Sequence, residues 1–132
     1  MIGLDTNVLL RHVVIDDEDQ FLRAREFIER HCSAVSPGFI NRIVLCEFVW
    51  TLDRSYGFAR AKIVDALEKL LATDSLVIED QDHVLAVLPD YAAGRAGFTD
   101  LLVGSINRAR GCEATATFDR KAARLDGFVA VR

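Results

Sequence analysis

The sequence predicts an α/β fold from three observations: short apolar strands alternate with longer helical segments, two of those strands run into an aspartate, and no repeat or Pro/Gly-rich linker divides the chain. Its 132 residues, 51% hydrophobic and 27% charged, are enough for one domain with a sizeable core, so residues 1–132 are read as a single domain. Strands joined through helices favour a mostly parallel sheet, and such sheets bind ligands beyond the carboxyl ends of their strands.

Residues 1–4 read as a buried strand that stops at Asp5. Residues 18–31 carry Phe21, Leu22, Ala24, Phe27 and Ile28 at roughly helical spacing. A second strand is expected at 33–36, closed by the turn signal Pro37-Gly38. The helix expected at 41–55 presents Val44, Leu45, Phe48, Val49 and Leu52 as a broad apolar face and ends at Tyr56-Gly57. Another, at 59–72, is built on Ile63, Ala66, Leu67, Leu70 and Leu71. A third strand at 76–79 leads into a helical stretch from 82 to about 93, which Pro89 is expected to kink or split. Residues 98–110 read as a helix with Thr99 as N-cap and Gly111 as its stop. Strands at 114–117 and 128–131 complete a sheet of four or five strands.

Composition narrows the functional classes. No apolar run approaches the roughly 20 residues that span a bilayer, and the N-terminal segment lacks the pattern of a signal peptide. Cys32, Cys46 and Cys112 are odd in number and widely spaced, which fits neither a zinc site nor a disulfide framework and points to a reducing cytoplasm. The net charge of −4 is unevenly spread. Residues 95–132 hold seven basic against four acidic side chains, while 1–94 hold nine against sixteen, a weak sign of a polyanionic partner. There is no Gly-rich phosphate loop, no nucleophile elbow, and no catalytic spacing among His12, His31 and His83.

Four carboxylates carry the chemical signal. Asp5 ends the first strand, followed by Thr6 and Asn7, which offer polar groups to orient it; a turn or N-cap role is the alternative. Glu47 lies in the apolar stretch Ile43-Val44-Leu45-Cys46-Glu47-Phe48-Val49-Trp50 and is expected to edge the core, where it needs a metal or a basic partner. Asp100 occupies the first turn of its helix, a position the helix dipole also favours, and heads a stripe with Gly104 and Asn107 that is expected to leave room for an ion or phosphate. Asp119 follows Thr115-Ala116-Thr117-Phe118, with Thr115 and Thr117 on one strand face; capping the next short segment is its alternative role. Two strand-end and two helix acids suit a hard cation such as Mg²⁺ or Mn²⁺, which prefers oxygen ligands.

These segments, Ile2 to Leu10, Ile43 to Leu52, Phe98 to Val103 and Thr115 to Arg120, resemble the PIN-domain ribonucleases, most closely the VapC-type toxins of bacterial toxin–antitoxin pairs. They occur in the family's order, and the likeness covers nearly the whole chain. The resemblance implies a three-layer α/β/α sandwich with a central parallel sheet and RNA as substrate. It puts Asp5, Glu47, Asp100 and Asp119 on the family's acidic positions, and Thr6, Asn7 and Thr117 on its supporting polar positions. Toxin relatives associate with a small antitoxin and often form homodimers. One position departs: many relatives carry a further acid three residues before Asp100, where this chain has Gly97.

The expected chemistry is metal-assisted phosphodiester hydrolysis, with Asp5 and Asp100 as principal ligands, Glu47 and Asp119 completing the shell, and Arg108, Arg110, Arg120 and Arg124 as candidate phosphate contacts. The rival of a different class is a catalytically inactive PIN-like binding protein that acts through a protein partner. A haloacid-dehalogenase-type phosphatase ranks lower, because Asn7 stands where that family wants a second acid.

Overall fold

The computed structural model describes residues 1–15 and 17–132, in two compact units, Met1–Gln81 and Asp82–Arg132. The first unit contains strands β1 (Ile2–Gly3), β2 (Gly38–Ile40) and β3 (Leu76–Ile78), paired in the order β1-β2-β3 and parallel throughout. Parallel neighbours require long crossovers. Helices α1 (Thr6–Val13) and α2 (Glu18–His31) supply the first, and α3 (Arg42–Arg54) and α4 (Arg60–Leu71) the second.

Helices α1, α3 and α4 of this unit each bury one stripe, while α2 buries Ile28. In α3 the stripe is Leu45, Phe48, Val49 and Leu52, the i, i+3, i+4, i+7 pattern of a helix with one apolar face. Leu9 of α1, Ile40 of β2, and Ile63 and Leu67 of α4 are likewise sealed from solvent. Asn41 starts α3 by accepting the Val44 N–H on its side-chain oxygen at 2.8 Å.

Strand β2 lies later than the 33–36 expected from sequence. Ser33 and Ser36 instead close a turn: the Ser36 N–H donates to Ser33 Oγ, and the Ser33 N–H to the Ser36 carbonyl, both at 3.0 Å. Pro37-Gly38 is therefore the entry to a strand rather than the end of one. Gly38 is required there by packing, since a Cβ would come within 2.8 Å of Leu4 Cδ1 and 2.9 Å of Cys32 Sγ. Helix α1 was not anticipated either. It begins at Thr6 and Asn7, which the sequence offers as polar groups to orient Asp5, yet Thr6 is buried at 3% exposure.

His12, half-buried in α1, has a buried Nδ1 with no hydrogen-bond partner among the described residues. Burial first, and then the Arg25 charge, hold its pKa below the ordinary histidine value, with Glu29 partly opposing. The unfolded chain therefore takes up this proton more readily than the folded one. The stability that neutral His12 permits is present above about pH 6.5 and is lost as pH falls below it toward the depressed folded-state value. Urea midpoints measured at about pH 7.5 and 5.5 should fall more for the wild type than for His12→Gln. Equal falls would dissociate His12 from the acid sensitivity.

The second unit is built from α5 (Gln81–Ala92), α6 (Phe98–Ala109), β4 (Thr115–Thr117), a 3-10 turn (Ala122–Arg124) and β5 (Phe128–Ala130). Strands β4 and β5 pair in parallel with Thr115 opposite Phe128. Parallel strands with helical crossovers thus make the expected α/β fold, with the five strands hydrogen-bonded as a ladder of three and a ladder of two. Pro89 lies inside α5 without ending it. The N-cap of α6 is Gly97, not Thr99, which already lies within the helix. Gly111 follows the last turn at φ +93°, the left-handed stop that glycine adopts without steric cost.

Candidate functional site

In the first unit, Asp5 stands two residues beyond the carboxyl end of β1. Its Oδ1 accepts the Thr6 N–H at 2.7 Å, so it serves as the N-cap of α1. The carboxylate is solvent-exposed, as is the neighbouring Asn7, while Thr6 is buried beneath them. The capping role thus uses one oxygen and leaves the other open to solvent or to a ligand.

Glu47 is also exposed, and here the structure corrects the expectation that it edges the core. The buried stripe of α3 passes through Leu45, Phe48 and Leu52, so the face carrying Ile43, Glu47 and Trp50 points away from it. Ile43 and Trp50 are 72% and 60% exposed. They surround the carboxylate with accessible apolar surface rather than with core. The solvated Glu47 needs no buried basic partner, which removes the cost assigned to it from sequence.

In the second unit, Asp100 lies in the first turn of α6, half-buried. Asp119 lies two residues beyond the carboxyl end of β4 and is exposed. Thr117 Oγ1 accepts the Asp119 N–H at 3.0 Å, and Asp119 Oδ1 accepts the Ala122 N–H at 2.8 Å at the entry to the 3-10 turn. Thr115, on the same strand face, takes a 3.0 Å hydrogen bond from the Asn107 side-chain amide and ties β4 to α6.

The two acids feel one another. Burial first, and then the charge of Asp119, push the Asp100 carboxyl above the ordinary carboxylate range. Like charges brought together without a counter-ion have this effect, and a cation between them would reverse it. The pair therefore fits a divalent ion in charge and in donor type. Among the described residues, no three His, Cys, Asp or Glu side chains are gathered into a ready cradle. Gly97 leaves the flank of Asp100 unencumbered: a Cβ there would meet Asp100 Oδ2 only at an ordinary 3.7 Å.

The space beside Gly104 is not open to an ion, contrary to expectation. The Phe128 ring fills it, at 2.5 Å from where a Gly104 Cβ would stand. Arg108, Arg110, Arg120 and Arg124 are all exposed, and among the described residues none of them forms an ion pair. Sequence reasoning passed over two features of this unit. His83 Nδ1 and Ser105 Oγ share a 2.7 Å hydrogen bond between α5 and α6. Phe118, beside Asp119, is 85% exposed, and its position next to a strand-end acid was the available signal.

Comparison with known proteins follows the same outline. The family model described as the PIN domain matches residues 2–128. A VapC ribonuclease of Aquifex aeolicus (strain VF5) is 24% identical over 128 residues, covering 97% of this chain and 93% of that relative.

Proposed function

The chain belongs to the PIN-domain family, and from that premise we propose that it is a metal-dependent endoribonuclease, the toxin of a toxin–antitoxin pair, which hydrolyses RNA phosphodiester bonds and so inhibits translation. The observation that carries this reading is the Asp100–Asp119 pair, two acids on successive elements, where burial first and then the Asp119 charge raise the Asp100 carboxyl and where a cation would neutralise the charge. Likeness to a VapC ribonuclease along 97% of the chain supports the same reading for the chain as a single functional domain.

In this proposal Asp5 and Asp100 would be the principal ligands of Mg²⁺ or Mn²⁺, with Glu47 and Asp119 completing the shell. When bound, the ion polarises the phosphate and lowers the pKa of the attacking water. Thr6 and Asn7 support Asp5, and Thr117 holds the backbone of Asp119. A water oxygen adds to phosphorus, the bond to the leaving ribose oxygen breaks, and that oxygen takes a proton. Glu47, exposed on α3, is accessible to accept the proton released by the water. Basic side chains at Arg108, Arg110, Arg120 and Arg124 would meet the strand's phosphates.

Two partners belong to the proposal: a small antitoxin, and a second copy of the chain. The exposed Ile43 and Trp50 on α3 support a protein contact at that helix. Action in the cytoplasm accords with three cysteines that form no disulfide. No helix among the described residues is long and apolar enough to cross a membrane.

Incubation of total RNA with the purified chain in Mg²⁺, Mn²⁺ or EDTA tests the reading. Cutting in either ion and none in EDTA is expected. Intact RNA in every condition, with folded protein and a panel of structured and single-stranded substrates, would favour the inactive binding protein.

A further inference from the structure

The second unit contains a cavity of about 370 Å³ between α5, α6 and the segment leading into β5. Its volume lies in the range of small-ligand pockets, roughly 300–1,000 Å³. Three arginines line it: Arg95, Arg108 and Arg124. Arg95 is engaged by Asp90 at 3.4 Å. Arg108 and Arg124 have no acidic partner among the described residues, so two planar, five-donor guanidinium forks face one cavity with their hydrogen-bonding capacity unspent.

The lower part of the cavity has a different character. Phe128 contributes its ring, held against Gly104, and Leu101 and Leu125 add aliphatic surface. Gly127, at φ +85°, has no side chain where the Arg108 guanidinium lies; a Cβ would collide with it. The bare backbone therefore lets the fork lie beside the aromatic floor. Asp126 also lines the cavity and offers only acceptors, which suits base amino groups.

An aromatic ring and two uncommitted guanidiniums lining one cavity are the chemistry of a nucleotide, whose base stacks on the ring and whose phosphate is gripped by the arginines. Helix α6 connects this cavity to the acids. Asp100, Gly104 and Arg108 fall at i, i+4 and i+8 and share a face, about 12 Å from first to last at 1.5 Å per residue. A single strand covers that distance in a few nucleotides.

We propose that this cavity is a nucleotide subsite, which holds one base of the RNA on Phe128 and its phosphate on Arg108 and Arg124, a few nucleotides from the bond to be cut. The proposal rests on the ribonuclease reading for the identity of the strand. An acidic peptide would satisfy the arginines but would gain nothing from the Phe128 ring.

The test is fluorescence polarisation with a labelled oligoribonucleotide in EDTA, in an Asp100→Asn background where nothing is cut. Adding Arg108→Gln and Arg124→Gln together should weaken binding at least about tenfold. It should also reduce the slope of log affinity against log salt by about 1.4, the loss of two phosphate contacts at about 0.7 each on a single strand. Lysines at both positions should recover most of the salt slope, since charge is retained, and circular dichroism checks that these exposed substitutions leave the fold intact. Unchanged affinity and slope in the glutamine pair overturn the subsite. So does a wild-type cavity that binds a polyglutamate peptide and not RNA. Cleavage assays on the Asp100-intact chain separate this from the parent reading. Cutting with arginine-independent binding sinks the subsite alone, and arginine-dependent RNA binding without cutting sinks the hydrolytic function alone.

Discussion

Asp100→Asn should lower metal-dependent RNA cleavage by at least about 100-fold, because loss of a metal ligand costs no less than loss of an outer-shell partner of one. Asp5→Asn should do the same. The structure adds a second expectation of opposite sign for Asp100. In the metal-free chain its carboxyl is raised by burial and then by Asp119, so at neutral pH the ionised group destabilises the fold. This burden is present above the raised folded-state pKa and is relieved as pH falls through it. The amide removes the charge, so the urea midpoint of Asp100→Asn in EDTA should equal or exceed that of wild type at neutral pH. Activity lost while stability is retained identifies a group kept for a ligand. Cleavage retained by either variant would remove that aspartate from the metal site, and a lower midpoint for Asp100→Asn would mean that its carboxylate serves the fold.

Phe48→Ala should cost about 3–5 kcal/mol, the range for deleting an enclosed aromatic side chain. Phe48 is fully buried in α3, among the stripe that packs the first unit. At a urea dependence of about 1–3 kcal/mol per molar for small proteins, the midpoint should move by more than about 1 M. Trp50→Ala, two residues on, removes a larger side chain from a 60%-exposed position and should stay within about 0.5 kcal/mol. The contrast is the test: comparable losses at both positions would mean that α3 is covered on both faces. Glu47 is next to Phe48, so the packing that holds the helix also holds that carboxylate in place.

Much of this protein was legible because local rules and tertiary demands agree. The apolar stripes of α3 and α4 and the left-handed stop at Gly111 all satisfy short-range physics and the packed fold together. Asp5 and Asp119 were visible as strand-end acids, and in the structure each accepts a backbone N–H on one carboxylate oxygen. The family pattern spans residues 2–128, so the family was identifiable without coordinates.

Tertiary structure decided what depends on partners distant in sequence. Strand β2 is specified by its pairing with Ile2–Gly3 and Leu76–Ile78 and by the fit of Gly38 against Leu4 and Cys32, none of which shows in the local run. Glu47 proved exposed because α3 buries only one of the two apolar stripes that the sequence offers, and composition does not say which stripe finds a neighbour. The gap beside Gly104 is filled by Phe128, 24 residues away, and the same contact floors a cavity whose arginines come from three separate segments. The sequence by itself determined the α/β class and the family, because helix periodicity, strand ends and short motifs are local. The sealing of surfaces, and with it the shape of the arginine-lined cavity, was left to the tertiary structure, because burial is a property of two surfaces and the sequence displays one at a time.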